Sequence, residues 1–72
     1  MNIDYPTLIL TLRAKLDLSQ EDFGKLIGAS LVSVSRWERG EFEPTKLVKV
    51  RLKELAKDNN VEIAEVSKYR NC

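Results

Sequence analysis

The sequence predicts an all-α fold, a compact bundle of four to five short helices. Three observations lead there. Apolar residues recur at three- and four-residue steps through runs such as "TKLVKVRLKELAK". Only two prolines and three glycines occur among 72 residues, too few for the many tight turns of an all-β chain. With 43% apolar and 32% charged residues, the composition suits a folded domain rather than a disordered segment. The length predicts a single domain over residues 1–72, with a small core.

The elements follow in order. Pro6 fits the first turn of a helix, where a missing N–H does no harm. Leu8, Ile9, Leu12 and Leu16 then mark one buried face, which predicts a first helix over about residues 6–16. Ser19 followed by Asp22 has capping-box spacing, and a second helix over about 19–28 turns Phe23, Leu26 and Ile27 inward. Ser30 is a good N-cap for a third helix over about 30–39, whose inner face carries Val34 and Trp37. Gly40 ends it, and "EFE" connects it to a fourth helix. That helix is predicted to start at Pro44, with Leu47, Val48, Leu52, Leu55 and Ala56 as its apolar stripe. The tail over 59–72 reads equally as a short helix or a strand.

The residue inventory excludes several functions. No histidine is present and Cys72 is the single cysteine, which rules out Cys/His zinc sites, His-based triads and an internal disulfide. No carboxylate pair is framed as an active site, so neither enzyme nor cofactor is expected. The longest apolar runs, "LIL" and "LIG", are too short to span a bilayer, and "MNIDYPTLI" lacks the pattern of a signal peptide. A cytoplasmic protein without membrane contact is therefore expected. The formal net charge is +1, unevenly spread: residues 20–43 carry a net −2 and residues 44–58 a net +3. A basic fourth helix is either a solvated face or a phosphate-facing stripe.

Two glycines four residues apart need a reason. Glycine inside a helix costs about 1 kcal/mol relative to alanine. Gly28 lies where the second helix stops and the chain reverses, a place for a left-handed backbone. Gly24 lies one turn earlier, where a small residue lets two helices cross closely. The connection is so short that the helices must cross steeply.

The stretch "LRAKLDLSQEDFGKLIGASLVSVSRWERGEFEP" resembles the helix-turn-helix of the phage-repressor/Cro-like (XRE) family, over roughly residues 8–57. Gln20, Gly24, Gly28 and Val34 occupy the expected spacing, "SRWERG" is present in full at Ser35–Gly40, and Pro44 follows. The resemblance implies a lambda-repressor-like fold and sequence-specific binding to double-stranded DNA by a transcription regulator, a repressor in the first instance. It places the third helix in the major groove. Ser30, Leu31, Val32 and Arg36 are then candidates for base contact. Arg36 has the geometry to donate twice to guanine, or it touches phosphate only. Leu31 and Val32 meet thymine methyl groups, or they belong to the core. Ser19, Gln20, Ser33, Arg39 and Lys46 are the phosphate candidates. Arg13 and Glu38 match a structural pair of the family.

The chain departs from the family pattern in two respects. The position of Gly24 is usually alanine, which implies room for one methyl and a small stability gain on Gly24→Ala. Glu41 and Glu43 put acids where bases are common, which works against tight non-specific binding. A weak homodimer strengthened by DNA is expected through Val50, Val61, Ile63, Val66 and Tyr69, with Val61 and Ile63 equally placed to complete the core. The alternative reading is an interaction module, an antitoxin or a phage or plasmid control protein, whose main partner is another protein such as a toxin.

Overall fold

The computed structural model describes residues 3–63. Among these, four helices form: α1 (Tyr5–Leu16), α2 (Gln20–Ile27), α3 (Leu31–Glu38) and α4 (Lys46–Asp58). Each starts at a side-chain oxygen. Asp4 accepts from the Thr7 amide at 3.2 Å, and Ser19 from the Asp22 amide at 3.0 Å. Ser30 accepts from the Ser33 amide at 3.1 Å, and Thr45 from the Val48 amide at 3.4 Å. These bonds satisfy amides that have no partner inside their own helix.

The fourth helix corrects the sequence reading. It begins at Lys46 and not at Pro44, because Thr45 supplies the capping hydroxyl while Pro44 is buried just ahead of it. At the other end Asn59 closes α4, and its side chain donates to the Leu55 carbonyl at 2.9 Å. Of the tail, Val61 packs partly against the core and Ile63 is 37% exposed. Val66, Tyr69 and Cys72 lie outside the described residues.

The core lies between the four helices. Leu8, Ile9 and Leu12 of α1 meet Phe23 and Ile27 of α2, Val34 and Trp37 of α3, and Leu52 and Ala56 of α4. Two residues assigned to this core are not in it. Leu26 is 50% exposed and Leu47 is 63% exposed. At about 100° per residue, Leu26 falls to one side of the Phe23–Ile27 stripe and Leu47 to one side of the Val48–Leu52–Ala56 stripe. Leu16 is only partly buried. No helix among the described residues is long and apolar enough to cross a membrane.

The glycine pair shapes the link from α2 to α3. Gly28 has φ +80°, the left-handed region where glycine carries no Cβ penalty. The chain then turns so sharply that the Ala29 amide donates to the Gly24 carbonyl at 2.7 Å. A Cβ on Gly24 would lie 2.5 Å from the Ala29 carbonyl oxygen and 3.4 Å from Cγ2 of Val34. Gly24 is therefore at a close approach, as the spacing predicts, but the tightest neighbour is the backbone of the turn. The expectation that the site holds a methyl is overturned, because a backbone carbonyl cannot swing aside as a side chain can.

Candidate nucleic-acid interface

Helix α3 buries Val34 completely and leaves Trp37 6% exposed. The opposite side is its outer stripe: Val32, Ser35, Arg36 and then Arg39, the residue that caps the helix. Val32 is 57% and Leu31 47% exposed, so neither belongs to the core. Both stand at the N-terminal end of the helix. Ser30 and Ser33 sit beside them, tied to each other by a hydroxyl–hydroxyl bond of 3.1 Å.

The orientation of α3 rests on one carboxylate. Arg13 Nη1 donates to both oxygens of Glu38, at 3.0 and 2.8 Å. Gln20 Nε2 donates to Oε1 of the same group at 2.8 Å, and Arg13 Nε reaches the Leu18 carbonyl at 3.0 Å. The Glu38 side chain is 8% exposed and that of Arg13 is 23%. Glu38 thus joins α1, α2 and α3 in a charge-assisted network, of the kind that outlasts an exposed surface pair. Gln20 braces α3 in this way, and Ser19 caps α2 one residue earlier.

Three further cations are held by the connector. Arg39 Nε donates to Glu41 Oε2 at 2.7 Å, and its Nη1 donates to Ser35 Oγ at 2.7 Å. The hydrogen bond from Arg39 holds the Glu41 carboxyl below the usual carboxylate range and raises the guanidinium in return. Arg36 lies over the Phe42 ring, 5.3 Å from its centroid. Lys49 donates to Glu43 Oε1 at 2.8 Å, which raises its ammonium, and it lies 5.3 Å from the centroid of Tyr5. The two acids that depart from the family pattern, Glu41 and Glu43, are therefore both paired. Lys46 stands apart, exposed on the first turn of α4, beside an open groove of about 510 Å³ that Tyr5, Lys49 and Lys53 also line.

Two contributors are missed by sequence reasoning. Phe42 is 58% exposed, and its signal is an aromatic residue flanked by two acids just past a helix-ending glycine. Arg51 donates from Nη1 to the Ile27 carbonyl at 3.1 Å and so closes the C-terminal end of α2. Nothing in local spacing marks that contact, which spans 24 positions.

Two short helices crossing at a glycine turn, with the second held outward-facing, is the geometry of a helix-turn-helix. A family model for the helix-turn-helix matches residues 9–66. The chain belongs to the Cro/C1-type (XRE) helix-turn-helix family. No curated protein and no solved structure gives a significant match. As an XRE-type protein it binds DNA, and the family is non-enzymatic. The four-helix arrangement is consistent with the lambda-repressor-like fold of this family, with α2 and α3 as its motif pair.

Proposed function

We propose that the protein is a transcriptional regulator, a repressor, which reads one sequence of double-stranded DNA with α3. The observation that carries this reading is the outer stripe of α3. It combines an exposed arginine, small hydroxyls and exposed aliphatic groups on a helix whose inner side is fixed by Glu38. Arg36 supplies the N–H donors that pair with guanine, and Leu31 and Val32 supply apolar contact for thymine methyl groups. Ser30 approaches the base edges from the start of the helix. Ser19 and Gln20 at the N-terminus of α2, together with Ser33, Arg39 and Lys46, hold phosphates. Occupation of promoter DNA in the cytoplasm then blocks transcription, with residues 1–72 acting as one domain.

A single helix reads only a few base pairs, so specific binding calls for two copies on half-sites about 34 Å apart. Val50 is 47% exposed on α4 and stands, with Ile63, as the described part of the proposed dimer surface. The exposed Leu47, also on α4, favours a second reading, in which this surface takes another protein, a toxin for example. Sedimentation with and without cognate duplex tests the dimer. A two-to-one complex on a palindromic site supports it, and a one-to-one complex on a non-palindromic site overturns it.

Selection of duplexes from a random pool tests the main proposal, because a regulator enriches one sequence. On that sequence Arg36→Ala is expected to remove about 1–3 kcal/mol of discrimination at a single base pair. An equal loss on every sequence reassigns Arg36 to phosphate. Lys46→Ala is expected to weaken all duplexes alike and to lower the salt slope by about one unit. An unchanged slope removes Lys46 from the interface.

A further inference from the structure

The connector between α3 and α4 is anchored at both ends. The Gly40 amide donates to the Trp37 carbonyl at 3.1 Å and the Glu41 amide to the Arg36 carbonyl at 3.0 Å, which folds the chain back over the last turn of α3. At the other end Pro44 is buried and Glu43 is bonded to Lys49 at 2.8 Å. Between these anchors Glu41 is held against Arg39. Its two oxygens receive Nε at 2.7 Å and Nη2 at 3.4 Å, and Ser35 Oγ receives Nη1 at 2.7 Å. This two-pronged arrangement is the one a guanidinium makes with a phosphate. Arg39 is 56% exposed in its side chain, yet each of its three nitrogens already donates within the protein. Arg36 is treated differently, since Phe42 covers it without offering an acceptor oxygen.

The geometry points to Glu41 as an internal competitor of DNA phosphate for Arg39, a carboxylate that sets the strength of sequence-independent binding. The inference rests on the reading that the outer stripe of α3 faces DNA. Arg39 presents its Nε/Nη2 edge to a phosphate only by leaving Glu41. The released carboxylate then stands unpaired beside the polyanion and draws in a cation, which cancels part of the counterion release that drives association. Sequence readout through Arg36 is retained, because Arg36 meets the Glu41 carboxylate only through space and makes no side-chain hydrogen bond to it.

The test is a salt titration on a duplex of random sequence. Glu41→Gln is expected to tighten binding about three- to fivefold and to steepen the salt slope by about one unit. The ranking of sequences in a selection stays the same. Arg39→Gln alone weakens binding, and in the double variant Glu41→Gln has no further effect, because its partner is gone. An unchanged slope in Glu41→Gln overturns the inference. So does a tightening that persists undiminished with Gln at position 39, since Glu41 would then act as a general negative charge. A wild-type protein that enriches no sequence would defeat the proposed regulator, whereas the random-duplex titration still decides the role of Glu41.

Discussion

The two ends of α3 are held by different physics. At the N-terminal end a three-residue link brings backbone onto backbone: Gly28 is left-handed, and the Ala29 carbonyl occupies the space a Gly24 side chain would need. At the C-terminal end a seven-residue link brings side chain onto side chain: Glu41 on Arg39, Phe42 on Arg36 and Glu43 on Lys49. The first end, together with the inward tie at Glu38, sets where the helix lies. The second sets which of its charges are available. A steric constraint admits almost no substitution, whereas exposed pairs can be exchanged at little cost to the fold.

Substitutions can break this contrast or sharpen it. The largest effect is expected at Glu38, which lies on the C-terminal half of α3 but ties inward. Glu38→Ala strands Arg13 and Gln20 and is expected to cost about 3–5 kcal/mol in chemical denaturation. A loss within about 0.5 kcal/mol would make the network an ordinary surface pair and erase the distinction between frame and connector. Next comes Gly24→Ala. The gain in helix propensity is smaller than the overpacking against the Ala29 carbonyl, and a net loss of about 1–3 kcal/mol is expected. A stabilised variant would show that the turn yields, and the N-terminal end would be no stiffer than the other.

The smallest effect belongs to the connector. Glu41→Gln is expected to lower the thermal midpoint only slightly, because the pair is exposed. The pair itself is visible by pH. The Glu41 carboxyl is held low by Arg39, so its contribution is fully present above the ordinary glutamate range and is lost as pH falls through the depressed value. A carboxyl titration followed by NMR is expected to put its midpoint below that range. A midpoint within the ordinary range would mean that the connector does not hold Arg39 in solution.

The same contrast explains what the sequence reveals. Val34 and Trp37 are legible because the spacing that buries them is local. Gly24 and Gly28 are legible as a close approach, but the atom Gly24 meets is not, since a carbonyl position is carried by no residue type. Leu26 and Leu47 mislead because an aliphatic residue at the margin of a stripe has the same spacing as one inside it. The Arg13–Glu38 pair spans 25 positions and is expected only through the family resemblance. Arg51 acts across the fold and Phe42 lies back over Arg36, six positions earlier, where neither period nor capping signals reach. The acids at 41 and 43 read as repulsive in a linear sequence, and only the folded connector pairs each with a base.

The shared carboxylate of Glu38 has one more consequence. A helix tied through a single group to two neighbours cannot roll or slide without breaking three hydrogen bonds together. The entropy of aligning α3 is therefore surrendered when the chain folds and not when DNA arrives. Association then proceeds as the meeting of two shaped surfaces, with a heat-capacity change that reflects the area covered and no added contribution from ordering the helix.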